Sequence, residues 1–221
     1  MKKGRIIVLD GLSASGKATQ AKLLADYLVK QGVNARLMAF PTYDQTEAGT
    51  MVGKYLRGDF GLKEKIPEFA SLLYSADRYQ YRKMIQEELE NGVWFVFDRY
   101  ISSNLGFQAA FFEGEEKKAF IDWLKRIDSR MPPADAVVFL DVPRSFSEKL
   151  IQTREQKNVL TERDIHEIDA VYEGKVRETF LSEAKESGWI VVDCVIGNEL
   201  KSKLEIHASV VSALKNKGVL S

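Results

Sequence analysis

Four short apolar segments of the chain each end in an aspartate. They run from Arg5 to Asp10, Val93 to Asp98, Ala136 to Asp141 and Trp189 to Asp193, and they are rich in Val, Ile and Phe. Segments of this length and composition are typical of strands that are buried on both faces of a parallel sheet. A weaker fifth candidate runs from Asn34 to Phe40. The terminal aspartates should therefore share the carboxyl edge of the sheet, where ligands bind in such folds.

Segments with helical periodicity alternate with these predicted strands. This alternation predicts right-handed crossovers and a doubly wound α/β fold, and no linker divides the 221 residues into more than one domain. The stretch from Gln152 to Asp164 is polar and basic, so we expect a mobile loop or a short helical hairpin over a site. The predicted helices are Lys17–Gln31, Glu47–Leu56, Ile66–Asn91, Glu115–Ser129, Ile165–Ser187 and Asn198–Lys215.

Charge and composition exclude several classes of protein. The 32 Lys and Arg residues balance 32 Asp and Glu residues, which argues against binding nucleic acid by bulk electrostatics. Cys194 is the single cysteine, so an internal disulfide is impossible. No run of 18 apolar residues and no secretory pattern is present, and we expect a cytoplasmic protein without a membrane or nucleic-acid partner.

The segment after the first predicted strand fits the pattern G-x-x-x-x-G-K and leads into an amphipathic helix. Small residues let the backbone curl around a polyphosphate, while the amide hydrogens and the lysine balance its charge. A plain tight turn is the alternative explanation of the two glycines. The residues predicted to bind ATP are Gly11, Leu12, Ser13, Ala14, Ser15, Gly16, Lys17, Ala18 and Thr19.

Ala18 departs from this motif, because a Ser or Thr hydroxyl that binds Mg²⁺ usually follows the lysine. Either phosphates, waters and nearby aspartates hold the cation, or metal-dependent chemistry is impaired. Asp98, and Asp10 through water, are the candidate metal contacts. Asp141 also ends a strand, and capping of the following loop is an equal alternative for it.

A second group of candidate residues lies between positions 72 and 110. Tyr74 and Arg78 are four residues apart on one helix face, and Arg99 follows a strand, where its planar fork could chelate a phosphate. Phe107 and Gln108 offer an aromatic face and an amide that suit the edge of a nucleobase. Core packing is the alternative role for the two aromatic residues.

The sequence from Ile6 to Asp193 resembles the thymidylate kinases, a family of P-loop nucleoside monophosphate kinases. The matching stretches are LDGLSASGKATQAKLLADYL, FPTYDQTEAGTMVGKYLRG, LLYSADRYQYRKMIQEELENGVWFVFDRYISSNLGFQAA, VVFLDVP and DIHEIDAVYEGKVRETFLSEA. The resemblance implies a three-layer sandwich with a five-stranded parallel sheet and a small lid. It also implies Mg²⁺-dependent transfer of the γ-phosphoryl group of ATP to dTMP, and a homodimer.

The resemblance assigns roles to individual residues. Tyr74 would stack on thymine, Arg78 and Gln108 would contact the base or phosphate, Arg99 would reach the acceptor phosphate, and Phe107 would pack near the deoxyribose. The implied substrate-binding set is Phe40, Tyr74, Arg78, Arg99, Ser103, Phe107 and Gln108. The implied catalytic set is Lys17, Asp98, Arg99 and Arg154.

Arg154 belongs to the stretch that resembles the family's lid, at about residues 151–165, with Arg163 as a second candidate to close over the phosphoryl group.

Four positions depart from the family pattern and remove a charge or a ligand. They are Ser13, where an aspartate is usual, Tyr43 and Leu150, where an arginine is usual, and Ala18. The alternatives are therefore a kinase for another nucleotide or nucleoside, or a nucleotide-binding protein with weakened catalysis.

Overall fold

The computed structural model describes residues 3–62, 65–146 and 170–220. Within these ranges, five parallel strands form a sheet in the order β2-β3-β1-β4-β5, with helices on both faces. This architecture confirms the doubly wound fold and all five predicted strands. The strands of the sheet are β1 (Ile6–Gly11), β2 (Ala35–Ala39), β3 (Trp94–Asp98), β4 (Ala136–Asp141) and β5 (Ile190–Asp193).

Most of the predicted helices are present with small changes at their ends, and residues 165–169 of the helix predicted from Ile165 lie outside the described residues. None of the described helices combines the length and the apolar composition that crossing a bilayer requires. Their bounds are α1 (Lys17–Lys30), α2 (Glu47–Arg57), α3 (Pro67–Tyr79), α4 (Arg82–Glu90), α5 (Ile101–Phe107), α6 (Gly114–Ile127), α7 (Ala170–Ser187) and α8 (Lys203–Asn216).

Two helix predictions were wrong in their extent. The region from Ile66 to Asn91 contains two helices, because the chain turns after α3 and the Tyr81 ring packs edge-on against Phe40 at 5.9 Å. The helix predicted from Asn198 begins later, since β6 (Val195–Ile196) and β7 (Glu199–Leu200) form an antiparallel hairpin there. Its two-residue Gly-Asn turn is a hairpin signal that the helical periodicity concealed.

Alternate residues of each strand face the two helical layers, as the period of a strand requires. Ile7 and Leu9 of β1 join a buried cluster with α1 and α8. Ile6 and Val8 join a second cluster that contains Phe97 and side chains of α4. Both faces of the central strand are thus covered, which explains why its sequence is uniformly apolar.

The register of the strands brings their terminal aspartates to one edge. Leu9 lies opposite Asp98 in β3, and Asp10 lies opposite Phe139 in β4. Asp141 lies opposite Asp193 at the far side of the sheet. The expected clustering of strand-end carboxylates at the carboxyl edge is therefore present.

Gly106 allows α5 and α7 to pack closely. A Cβ atom at this position would lie 2.2 Å from two ring carbons of the buried Phe180. We expect Gly106→Ala to lower the free energy of unfolding by about 1–3 kcal/mol, because the ring must move within a filled core. Chemical denaturation measures this change.

Gly174 provides the control for that substitution. A Cβ atom there meets nothing within 4 Å among the described residues, and the position lies in α7. Gly174→Ala should raise stability by about 0.5–1 kcal/mol through helix propensity. Equal stability of Gly106→Ala and the wild type would contradict the close packing.

Candidate active site

The phosphate loop curls around the ammonium group of Lys17. Its backbone takes positive φ angles of 55° at Ala14 and 85° at Gly16. Lys17 is buried, and its Nζ donates hydrogen bonds to the carbonyl of Leu12 at 2.5 Å and to Ser15 Oγ at 3.3 Å. Backbone amides and a cation therefore converge at the start of α1, as binding a polyphosphate requires.

Asp10 links this loop to the acceptor side. Its fully buried carboxylate accepts hydrogen bonds from Ser102 Oγ at 2.7 Å, from Ser103 Oγ at 2.9 Å and from the Gly11 amide at 2.9 Å. Burial raises the pKa of Asp10, and the Arg99 charge and the Ser102 hydroxyl offset part of that rise. Because these donors surround its oxygens, Asp10 holds neighbouring groups in place.

Arg99 extends from the end of β3 towards Asp10. Its φ of 67° is unusual for a residue other than glycine, and its amide donates to the carbonyl of Leu9 at 3.0 Å. The guanidinium lies 3.7 Å from Asp10 Oδ1, 3.4 Å from Ser103 Oγ and 4.8 Å from the centre of the Phe107 ring. A strained backbone that aims a cation into a pocket is a common feature of functional sites.

Asp98 is the described carboxylate that best fits a magnesium ion. Its Oδ1 is buried and has no hydrogen-bond partner among the described residues, whereas the oxygens of Asp10 accept several hydrogen bonds. Mg²⁺ usually takes one or two carboxylates and keeps several waters and phosphate oxygens. The described residues contain no cluster of three metal-binding side chains.

All seven residues of the expected substrate-binding set line one pocket of about 610 Å³, counting its open mouth. Ser13 and Tyr43, two of the departures from the family pattern, line it as well. The sequence thus identified residues that the fold brings together from several segments. The residues of that expected set are Phe40, Tyr74, Arg78, Arg99, Ser103, Phe107 and Gln108.

The side-chain oxygen of Gln108 is a buried hydrogen-bond acceptor without a partner among the described residues. The whole side chain is almost fully buried. A buried amide oxygen without a partner is costly, and a ligand that donates a hydrogen bond would remove that cost. The half-buried ring of Tyr74 lines the same pocket.

Arg78 is fixed by a partner that sequence reasoning missed. Its Nη2 lies 2.6 Å from Asp128 Oδ2, its Nε donates to Oδ1 at 3.3 Å, and both side chains are almost fully buried. Ser75 donates to the same carboxylate at 3.2 Å. Asp128 follows α6, far from the motif in sequence, so no local spacing indicated it.

Asp77, next to Arg78 in sequence, was also missed. Its buried carboxylate accepts hydrogen bonds from the amide of Thr42 at 2.8 Å and from Gln80 Nε2 at 3.0 Å, and the Thr42 hydroxyl donates to it too. This contact fixes the chain after Phe40, where the pocket wall begins. The only sequence signal for Asp77 was its place in the S-A-D-R segment, directly before the candidate residue Arg78.

The remaining candidates lie away from the pocket or outside the described residues. Asp141 forms a two-point ion pair with Arg177 of α7, with both N–O distances at 2.7 Å. Its carboxylate therefore joins β4 to α7. Leu150, Arg154, Arg163 and the expected lid fall outside the ranges that the structure describes.

Comparisons with known proteins agree with this geometry. The model of the family described as thymidylate kinase matches residues 9–203. The chain is 32% identical over 219 residues to a probable thymidylate kinase of Pyrococcus abyssi, covering 97% of each. It is 30% identical over 194 residues to the thymidylate kinase of Plasmodium falciparum, covering 87% of this chain and 83% of the relative. A solved thymidylate kinase of Candida albicans shares the fold, with a TM-score of 0.72 at 24% identity over 98% of this chain and 93% of its own. On its sequence and its fold, the chain belongs to the thymidylate kinase family.

Proposed function

We propose that this protein transfers the γ-phosphoryl group of ATP to dTMP, giving dTDP and ADP. One observation carries the proposal beyond family membership. The acceptor pocket and the phosphate loop lie at the same edge of the sheet. Asp10 connects them, because it accepts hydrogen bonds from the hydroxyls of Ser102 and Ser103 and lies 3.7 Å from Arg99. Two phosphate-bearing ligands can therefore meet between Lys17 and Arg99.

The pocket supplies groups that suit the acceptor nucleotide. Tyr74 and Phe107 present aromatic faces for a base and a sugar. The amide of Gln108 can accept from the N3–H group of thymine and donate to a ring carbonyl. Arg99 would bind the acceptor phosphate, because two phosphate oxygens can accept the paired N–H bonds of its planar guanidinium.

The transfer requires little beyond positioning and charge balance. An oxygen of the acceptor phosphate attacks the γ-phosphorus, and the bond to the bridging oxygen of ADP breaks on the opposite side. The phosphate-loop amides and Lys17 would stabilise charge on the donor side, and Arg99 would do so on the acceptor side. No covalent enzyme intermediate is needed.

The family uses ATP, generally with Mg²⁺, and the described part of the chain offers Asp98 as a suited carboxylate. Asp98 would hold the ion through its unpaired oxygen, and Ala18 cannot contribute a hydroxyl ligand. When bound, the ion neutralises charge on the phosphate oxygens. Asp10 would contact the ion through a water molecule and would hold Arg99 in place by its charge.

The family resemblance extends the proposal in three directions. Arg154, with Arg163 as second candidate, would approach the transferring group from the segment at about 151–165. The active form would be a homodimer, which light scattering would test. The protein would act in the cytoplasm on small nucleotides.

A coupled assay for ADP release tests the proposal on dTMP, dUMP, UMP, CMP, AMP and dGMP. We expect the highest kcat/KM with dTMP. Activity confined to AMP or CMP would contradict the acceptor assignment. Binding of dTMP and ATP without transfer, unchanged by Ala18→Thr, would instead support a nucleotide-binding protein that has lost catalysis.

A further inference from the structure

The guanidinium of Arg99 is held by long contacts. Its Nη1 donates a hydrogen bond to Ser103 Oγ at 3.4 Å and forms an ion pair with Asp10 Oδ1 at 3.7 Å. The face of the Phe107 ring lies 4.8 Å from the guanidinium carbon, within the range of a cation–π interaction. The direction of Arg99 therefore depends on where this ring lies.

The position of Phe107 depends in turn on α7. Phe107 is the last residue of α5, so no helical amide is available to its carbonyl oxygen. The hydroxyl of Tyr172, a buried residue of α7, donates to this oxygen at 2.7 Å. The Phe107 ring also meets the Phe180 ring edge-on at 5.6 Å.

Tyr172 is itself fixed from two other segments. The ammonium of Lys65, in the connection between α2 and α3, lies 4.9 Å from the centre of its ring. The centres of the Phe111 and Tyr172 rings lie 4.6 Å apart. These contacts restrict the tyrosine ring, so its hydroxyl points in one direction.

We propose that Tyr172 is a positioning residue for the acceptor phosphate. Its hydroxyl donates a hydrogen bond to the Phe107 carbonyl and thereby fixes the ring that the Arg99 guanidinium contacts. The inference rests on the proposed function, in which Arg99 binds that phosphate. Without the hydroxyl, the end of α5 loses its anchor to α7, and the guanidinium loses a defined direction while its charge remains.

Binding of two ligands by calorimetry tests this role, because thymidine lacks the phosphate of dTMP. In Tyr172→Phe we expect the affinity for dTMP to fall about fivefold to tenfold, as loss of one buried hydrogen bond allows. The affinity for thymidine should change less than about twofold. Any weaker packing of Phe107 on the sugar would affect both ligands equally, so the ratio of the two dissociation constants reports the phosphate contact.

Thr179→Val is the matched control on the same helix. Thr179 is fully buried, and its hydroxyl bonds the carbonyl of Lys175 and the ammonium of Lys117, away from the pocket. We expect this variant to lower the melting temperature and leave the ratio unchanged. Equal losses for both ligands in Tyr172→Phe, or no loss, would overturn the positioning role.

A double-mutant cycle with Arg99→Gln gives a second measurement. If Tyr172 acts through Arg99, Tyr172→Phe should change dTMP affinity less than about twofold in that background. A persistent fivefold to tenfold loss, on the order of that expected in the wild-type background, would overturn the inference. If the wild type bound dTMP no more tightly than thymidine, the proposed function would be contradicted as well. If Tyr172→Phe kept the wild-type preference for dTMP over thymidine, only the role of Tyr172 would be contradicted.

Discussion

Arg99→Ala is expected to lower kcat for phosphorylation of dTMP by about 10²- to 10³-fold, the cost of losing one electrostatic contact in a desolvated site. The side chain is 23% exposed and its oxygen contacts are 3.4 and 3.7 Å long, so its removal should leave the fold intact. Arg99→Lys should recover only part of the rate, because an ammonium lacks the planar fork. Steady-state kinetics on purified variants measure both effects.

Two comparisons separate catalysis from stability in that experiment. Arg99→Gly should be more stable than Arg99→Ala by about 1 kcal/mol, since only glycine accepts a φ of 67° without strain, yet equally inactive. Arg36→Ala removes an exposed ion pair with Glu88 at 3.1 Å and should keep the wild-type rate. A near-normal rate in Arg99→Ala would show that the acceptor phosphate binds elsewhere.

Asp128→Ala is expected to lower the free energy of unfolding by about 3–5 kcal/mol, because it leaves the Arg78 guanidinium buried without a counter-charge. The side chains of this pair are only 2% and 1% exposed, and the shortest N–O distance is 2.6 Å. For a chain of this size the melting temperature should fall by about 6–20 °C. Differential scanning calorimetry measures the shift.

An exposed ion pair of the same protein provides the matched control. Arg57 and Asp59 approach to 3.0 Å, but their side chains are 43% and 46% exposed. Asp59→Ala should therefore change stability by at most about 1 kcal/mol. If Asp128→Ala lowered the free energy of unfolding no more than this control, Arg78 would have to be hydrated in solution. That result would contradict the burial of the Arg78–Asp128 ion pair.

Sequence reasoning reached the sheet and the phosphate loop because both depend on local patterns, whereas the expected substrate-binding residues of the pocket were identified as a set through the family resemblance. A strand buried on both faces has an uninterrupted apolar sequence, so β1, β3 and β4 were visible from residue types alone. The phosphate loop is contiguous in sequence, and its glycines and Lys17 perform their role within a few residues of one another.

The missed features depend on contacts between distant segments. Asp128 becomes important only because α6 ends beside Arg78, fifty positions away in sequence. The break between α3 and α4 similarly follows from packing of Tyr81 on Phe40. Tertiary contacts override local propensity in such places, and periodicity carries no information about them.

The pairing of β1 with β3 has a consequence for how this activity can be lost. Leu9 pairs with Asp98, the last residue of β3, and Arg99 follows directly. A slip of one residue would carry the arginine about 3.3 Å along the sheet and reverse the face it occupies. The apolar side chains that fix this alignment, such as Val8 and Phe97, do not line the pocket, yet they determine the distance between the phosphate loop and Arg99. Substitutions in the core could therefore abolish phosphoryl transfer in a protein that still folds and still binds each nucleotide separately.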